Sequence, residues 1–262
     1  MFLLSVILST TLGFTFTEEP HASIVWHWED EFSPEEKDKV EEWLNSVTGA
    51  VEETLGVYPF DLHFFIHRRD GSREPVPWAN TRRHSLQGVD FHIDPSYSLQ
   101  SFLDDWTAPH EISHLSIPYL GREQAWFAEG YASYMQYQIM QALGIYSWDR
   151  VAEMYAQKIE RVRPSYDREQ DFVTVAKDHQ RRNRHPDMYW GSASYFMQID
   201  QDLADEYGQT LPGFIKEYLL CCRLEDKTFG ELIETWDHLL GEPIFSELLH
   251  TYQSVPASEI LK

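Results

Sequence analysis

The chain has 262 residues, of which 42% are hydrophobic and 15% aromatic, so it can form a core and is not a disordered chain. Its length suits one large domain or two small ones packed together. The formal net charge is −22, which disfavours nucleic acid and anionic membrane surfaces as partners because both require a basic face on the protein.

The N-terminal segment 1–16 carries no charge and is mostly apolar. It is too short to span a membrane comfortably, so we expect no stable membrane insertion. Its length fits the apolar part of a signal peptide, with Thr11-Leu12-Gly13 as a small-residue cleavage site, although no Lys or Arg precedes the run. We therefore predict export to the periplasm or the cell exterior. A cytoplasmic chain that begins with an apolar strand is the alternative.

The residues from about 20 to 120 predict a small α+β subdomain. Runs with alternating or continuous apolar side chains predict strands at 22–28, 62–66 and 89–93. Between the first two strands, Ser33-Pro34-Glu35-Glu36 has the pattern of an N-cap, a first-turn proline and a capping box. It starts a predicted helix that ends at Gly56. The polar stretch 68–87 predicts a loop.

Helical patterns dominate the C-terminal half, which predicts a mainly helical subdomain over 121–262. Strands followed by a run of helices indicate an α+β fold rather than an alternating α/β fold. The stretch 163–186 is polar and predicts irregular structure. Cys221 and Cys222 are neighbours, which disfavours a disulfide between them, and we predict that they pack within a helix. The predicted helices cover 98–117, 123–142, 147–162, 191–206, 211–222, 228–239 and 243–253.

The strongest chemical signal is the segment His110-Glu111-Ile112-Ser113-His114. Two histidines four positions apart project from the same face of a helix, where both can reach one Zn²⁺. Glu111 can take the proton of a zinc-activated water as the general base. Pro109 belongs in a first helical turn, so we predict that this helix starts or kinks near Thr107, after a short helix over 98–105. A helix whose two histidines bind nothing is the alternative.

Glu129 is the predicted third ligand. A catalytic zinc needs three protein ligands and an open position for water. Glu129 follows His114 by 15 positions, which leaves room for a turn between two helices. Its neighbours Trp126 and Phe127 are apolar, so its carboxylate faces burial unless a cation compensates the charge. We therefore predict one Zn²⁺ held by His110, His114 and Glu129, with an ordinary helical glutamate as the alternative.

These segments resemble the gluzincin zinc metallopeptidases, in particular the aminopeptidase N and glycyl aminopeptidase families and small peptidase-MA-like proteins. The likeness rests on His110-Glu111-x-x-His114 and on residues 126–134, W-F-A-E-G-Y-A-S-Y, which are similar to the family pattern W-x-x-E-G-x-A-S/T-Y/F. It implies a thermolysin-like zincin catalytic domain with His110, His114 and Glu129 as zinc ligands and Glu111 as the base. Tyr189-Trp190-Gly191-Ser192-Ala193 resembles the helix start where these families keep an oxyanion-binding tyrosine, which implies a catalytic role for Tyr189.

We therefore predict a zinc-dependent metallopeptidase that acts on a peptide or protein substrate. Tyr189 is the first candidate for the oxyanion donor, and His185 is the second. The chain contains no G-x-M-E-N segment to hold a substrate's free amine, so the resemblance does not establish an aminopeptidase. The alternative function is a non-catalytic zinc-binding protein that keeps the scaffold. The presence of Glu111 argues against it, because a protein that only binds zinc has no need of a base.

Residues outside these motifs could contribute to a substrate cleft. The strand 89–93 could pair with an extended peptide, and Asp90 or His92 could line the cleft, although exposure on a strand explains both equally well. One arginine of the pairs Arg68-Arg69 and Arg82-Arg83, or of the group at 181–184, could bind a substrate carboxylate. The loop-like context of these clusters favours solvated side chains instead.

Overall fold

The computed structural model describes residues 22–83 and 86–261. The predicted signal peptide, 1–16, lies outside these residues, and export stays a prediction. Within the described part, no helix is both long and apolar enough to cross a bilayer.

The described part of the chain has an α+β architecture, as predicted, with a small mixed sheet and a larger number of helices. The strands lie in the order β1-β2-β4-β3. The pairs β1–β2 and β2–β4 are parallel, whereas β3 runs antiparallel to β4 and forms one edge of the sheet. The strands are β1 (Ile24–Trp28), β2 (Leu62–Arg68), β3 (Trp78–Arg83) and β4 (Gln87–Ile93).

The helices follow the predicted order, and most of their ends fall within two residues of the predicted positions. They are α1 (Pro34–Leu55), α2 (Leu99–Leu103), α3 (Thr107–Ser113), α4 (Ala125–Ala142), α5 (Trp148–Val162), α6 (Phe172–Arg181), α7 (His185–Tyr207), α8 (Leu211–Cys221), α9 (Phe229–Leu240), α10 (Ile244–Ser254) and α11 (Ala257–Ile260).

Helix α1 covers the inner face of the sheet. Its predicted capping box is confirmed, because the Ser33 hydroxyl accepts from the Glu36 amide and the Glu36 carboxylate accepts from the Ser33 amide. The fully buried ring of Trp43 packs 5.5 Å from Phe91 of β4 and 4.8 Å from Phe102 of α2, measured between ring centroids. Burial of large rings is the main stabilising contribution to such a layer, at about 25 cal/mol per Å² of apolar surface.

The predicted loop over 68–87 is wrong in part, because it contains strand β3. Side chains along β3 alternate between exposed and half-buried positions, with Trp78, Asn80 and Arg82 exposed. Ala79, Thr81 and Arg83 point the other way, and none of them is strongly apolar. The alternation in exposure along β3 therefore has no matching alternation in hydrophobicity, so the sequence did not indicate a strand. This is expected for an edge strand that carries charge.

The prediction of irregular structure over 163–186 is also wrong, since α6 occupies Phe172–Arg181. The Asp171 carboxylate caps this helix by accepting from the Thr174 amide. Its buried face consists of Phe172, Val175 and Ala176. Because polar residues lie between them, the sequence showed no clear apolar period and no helix was predicted. Helix α7 begins at His185, six residues before the predicted start, which places Tyr189 inside a helix.

The two cysteines correct a further prediction, because the structure joins Cys221 and Cys222 in a disulfide. We predicted no bond, since the peptide between neighbouring residues usually holds the two side chains apart. Helix α8 ends between them, and Cys222 has the non-helical backbone angles φ −131° and ψ −18°. This departure from helical geometry lets the sulfur atoms meet.

Candidate metal centre

Helix α3 carries His110, the first histidine of the candidate metal centre. The predicted start at Thr107 after a short preceding helix is confirmed, and Pro109 lies in the first turn, where an amide has no intrahelical partner. His114 directly follows the helix, and its ring centroid is 4.9 Å from that of His110. Both side chains are buried.

The C-terminal end of this segment is anchored by hydrogen bonds from two other elements. The Tyr58 hydroxyl donates to the Ile112 carbonyl at 2.7 Å, and the Arg223 guanidinium donates to the Leu115 carbonyl at 2.9 Å. Such bonds satisfy carbonyls that a helix end leaves without partners. They hold His114 in place relative to the remaining residues of the site.

Glu129 of α4 completes the group. One of its carboxylate oxygens, Oε2, lies 3.2 Å from His110 Nε2 and 3.6 Å from His114 Nε2. The three potential ligand atoms lie within 4.8 Å of one another. His110, His114 and Glu129, predicted as ligands from the sequence, are thus brought together, and they could hold a metal ion.

The two distances from Glu129 to the histidines are close to those between the ligands of a small tetrahedral ion. Bonds of about 2.0–2.1 Å at tetrahedral angles separate neighbouring ligand atoms by about 3.3–3.4 Å. The observed separations of 3.2 Å and 3.6 Å bracket that value. Two imidazole nitrogens and one carboxylate oxygen also leave a fourth position free for water.

Gln136 contacts His110 on the side of the ring that faces away from Glu129. Its amide oxygen lies 3.0 Å from His110 Nδ1, where it can accept the Nδ1–H and leave Nε2 as the nitrogen that faces Glu129. Gln136 follows Glu129 by seven residues on α4 and therefore lies on the same helix face. Among the described residues, His114 Nδ1 has no hydrogen-bond partner.

Glu129 carries the negative charge of the centre. Burial alone would raise its pKa, but the two histidines outweigh burial and hold the pKa well below its usual range. Burial lowers the pKa of His114 to about 4, against the opposing effect of Glu129. For His110, the hydrogen bond and charge of Glu129 outweigh burial and raise the pKa. At neutral pH, His114 is therefore free of a proton and ready to bind a metal.

Glu111 points into the same cleft. Burial raises its pKa, although His110 and Arg83 oppose this effect. The Thr81 hydroxyl of β3 donates to Glu111 Oε2 at 3.4 Å. A carboxylate whose pKa is raised in this way accepts a proton more readily than a solvated one, which suits a general base.

Tyr189 borders the centre, whereas His185 does not. The Tyr189 ring stacks beside the His110 ring, with centroids 5.9 Å apart and planes 24° apart. Burial, followed by the negative charges of Glu129 and Glu111, raises the pKa of Tyr189, so its hydroxyl remains protonated. His185 is exposed at the start of α7 and is absent from the cleft lining, while Met188 is buried in the core.

A cleft of about 570 Å³ opens over these groups. Strand β3 forms one wall, and the loop before α4 together with the start of α4 forms the other. The residues that line the cleft are Trp78, Ala79, Asn80, Thr81, Arg83, Glu111, His114, Tyr119, Leu120, Gly121, Arg122, Ala125, Ala128, Glu129 and Tyr189.

The prediction that strand 89–93 pairs with a substrate is wrong, because β4 is hydrogen-bonded on both sides. Asp90 and His92 lie on the outer face of the sheet, away from the cleft. Asp90 accepts from Arg82 at 2.5 and 2.6 Å, and His92 stacks on His67. The inward positions of β4 are taken by apolar residues, so strand alternation turns Asp90 and His92 outward.

Two residues were not predicted from the sequence, namely Gln136, which contacts His110, and Thr81, which lines the cleft. No local signal identifies either of them, because the contact of Gln136 depends on how α4 packs against α3 and because β3 was predicted as a loop. Arg83 was among the arginines named for a substrate carboxylate, although its loop-like context favoured a solvated side chain.

A comparison with known protein families and a comparison with curated proteins both found no match to this chain. The resemblance to gluzincins therefore rests on the sequence motifs, and membership of that family stays a prediction.

Proposed function

We propose that this protein is a zinc-dependent metallopeptidase with a thermolysin-like zincin catalytic domain. The observation that carries the proposal is the convergence of His110, His114 and Glu129, with Glu111 beside them in an open cleft. The α+β architecture, with an edge strand next to the metal-binding helix, supports the same fold.

The donor set favours zinc over the hard cations. Ca²⁺ and Mg²⁺ take oxygen ligands, whereas two imidazoles and one carboxylate are a typical catalytic zinc site. When bound, zinc supplies a nucleophilic water at neutral pH and polarises the carbonyl of the peptide bond.

The chain's own residues have distinct tasks in the proposed reaction. Glu111 accepts a proton from the attacking water and then transfers it to the leaving nitrogen. Tyr189 donates a hydrogen bond to the oxyanion that develops on the carbonyl oxygen. Gln136 keeps His110 in the required tautomer and orientation.

Strand β3 is the proposed binding edge for the substrate backbone. It pairs with β4 on one side only, so its other side offers unpaired amide and carbonyl groups along the cleft wall. An extended peptide binds such an edge by adding a strand. This role replaces the one predicted for 89–93.

Glu111→Gln tests the proposal because it removes the base and keeps the shape of the side chain. We expect the zinc-loaded wild type to cleave members of a peptide library, and Glu111→Gln to retain stoichiometric zinc with a loss of at least about 10²-fold in kcat. Glu123→Gln is the matched control, since the Glu123 side chain is 87% exposed and lies outside the cleft lining.

Two outcomes would contradict the proposal. Equal cleavage by wild type and Glu111→Gln would remove Glu111 as the base. Stoichiometric zinc without cleavage by the wild type would favour the alternative function, a zinc-binding protein without catalysis.

A further inference from the structure

Arg83 lies on the cleft face of β3, and its neighbour Arg82 lies on the opposite face. Arg82 forms an ion pair with Asp90, and its guanidinium lies 3.7 Å from the ring centroid of Phe65. Arg83 lines the cleft together with Thr81, two positions earlier on the strand. The two neighbouring arginines therefore lie on opposite faces of β3. Arg82 is ion-paired on the outer face, and Arg83 faces the cleft.

The guanidinium of Arg83 is incompletely satisfied. Its Nη1 donates to the Pro118 carbonyl at 3.3 Å, and its buried Nε has no hydrogen-bond partner among the described residues. Within that part of the chain, no carboxylate oxygen lies within the 4.0 Å of an ion pair with Arg83. Burial, followed by the nearby charge of Arg223, lowers the pKa of Arg83 to about 10, so it stays charged at neutral pH.

The positive and negative side chains that line the cleft balance, although the protein as a whole is strongly acidic. The chain has a net charge of −22, yet the acidic side chains in the cleft lining are Glu111 and Glu129 alone among the described residues. Both already have roles in the proposed chemistry. Arg122, an exposed residue on the opposite wall, adds a second positive charge. With a divalent cation bound, the charge in the cleft becomes net positive, which favours an anionic ligand.

We propose that Arg83 is a specificity-determining residue that binds a carboxylate of the substrate near the scissile bond. This inference rests on the proposed function, because it names the substrate class of the same site. A guanidinium with free donors binds a carboxylate through two parallel hydrogen bonds, and partial burial strengthens them. The carboxylate belongs either to an Asp or Glu side chain or to the C-terminus of a short peptide.

Matched peptides distinguish these two sources. Each peptide that the zinc-loaded wild type cleaves is made in two matched pairs. In one pair, the residue before or after the cleaved bond is Glu or Gln. In the other pair, the C-terminus is a free acid or an amide. We expect kcat/KM to be about 10- to 100-fold higher for one type of carboxylate peptide than for its neutral partner. A side-chain source gives the difference in the Glu/Gln pairs, and a C-terminal source gives it in the acid/amide pairs.

Arg83→Met removes the charge and keeps much of the side-chain volume. We expect it to abolish the carboxylate preference, so that kcat/KM for each carboxylate peptide falls to that of its neutral partner. Arg82→Met, one position earlier and on the outer face, is the matched control and keeps the preference. Arg83→Lys retains a charge without the planar fork, so it keeps part of the preference and also serves if Arg83→Met does not fold.

The inference is overturned if wild type shows no preference for any carboxylate. It is also overturned if Arg83→Met lowers kcat/KM equally for acidic and neutral peptides, because that pattern indicates a purely structural role through Pro118.

Peptide binding to the Glu111→Gln variant, measured by fluorescence anisotropy, separates this inference from the proposed function. It requires no catalysis, so tighter binding of carboxylate peptides that Arg83→Met abolishes supports the role of Arg83 even if no cleavage is found. Equal affinity for acidic and neutral peptides contradicts that role.

Discussion

Tyr189 and its neighbour Met188 show how a shift of one residue along a helix moves a side chain from the core to the candidate site. Tyr189 stacks beside His110 at 5.9 Å, whereas Met188 is 1% exposed and packs in the core. In the gluzincin pattern that residues 189–193 resemble, the tyrosine lies one position earlier, where this chain has Met188. The phase of α7 turns Tyr189 toward the cleft, so a hydroxyl donor is available there despite the shifted position.

Tyr189→Phe is expected to lower kcat by about 10²-fold, because it removes one hydrogen-bond donor to the oxyanion. Zinc content should stay stoichiometric, since Tyr189 is not among the grouped ligands. Steady-state kinetics combined with metal analysis checks both expectations. Tyr207→Phe at the exposed end of the same helix is the control, and an unchanged kcat in Tyr189→Phe would transfer the donor role to another residue.

The residues of the site differ in how far the sequence could predict them. His110, Glu111 and His114 follow from spacing within one helix, and Glu129 follows from its apolar context and the motif. The proximity of His110, His114 and Glu129, predicted from the sequence, is confirmed by the structure. The contact of Gln136 with His110 depends on how α4 packs against α3, and no local pattern encodes that packing.

At the scale of elements, the crossing of α4 and α7 positions two parts of the site. Gly130 follows Glu129 on α4, and Ser192 lies three residues after Tyr189 on α7. A Cβ atom at Gly130 would lie 2.6 Å from the Ser192 carbonyl carbon and 2.7 Å from its Cβ atom. Only glycine lets the helices approach this closely, so Gly130 fixes the separation of Glu129, the predicted third ligand, from Tyr189, the proposed oxyanion donor.

Gly130→Ala is expected to lower the free energy of unfolding by about 1–3 kcal/mol, because the added methyl group forces the two helices apart. Denaturant unfolding measures the change. Gly49→Ala in α1 is the matched control: Gly49 is exposed, a Cβ there meets no atom within 4 Å, and alanine should raise stability by about 0.5–1 kcal/mol. An equal gain in both variants would show that the α4–α7 crossing tolerates a side chain.

Elements with a strong apolar period were predictable, and elements without one were not. Helix α1 had both a capping box and a regular apolar face, and its predicted ends are confirmed. The side chains of strand β3 alternate in exposure but not in hydrophobicity. In α6 the buried face is short and is interrupted by charged residues. The order of strands in the sheet could not be predicted from the sequence either, because it depends on pairing between segments far apart in the chain.

At the scale of the whole molecule, the charged side chains and the candidate metal ligands are distributed unevenly. The surface is acidic overall, while the cleft holds two arginines beside the candidate metal ligands. The two cysteines are bonded to each other, so their thiolates do not compete for a metal. The proposed function therefore requires a single zinc on nitrogen and oxygen ligands, in one cleft between the sheet edge and α4.

Metal analysis combined with zinc X-ray absorption spectroscopy on the purified protein tests this requirement most directly. We expect one zinc per chain, with nitrogen and oxygen neighbours at about 2.0–2.1 Å and no sulfur neighbour. Glu129→Gln should weaken zinc binding, because it removes the anionic ligand. A protein that binds no zinc, or a sulfur shell at about 2.3 Å, would contradict the assignment of His110, His114 and Glu129 as the metal centre.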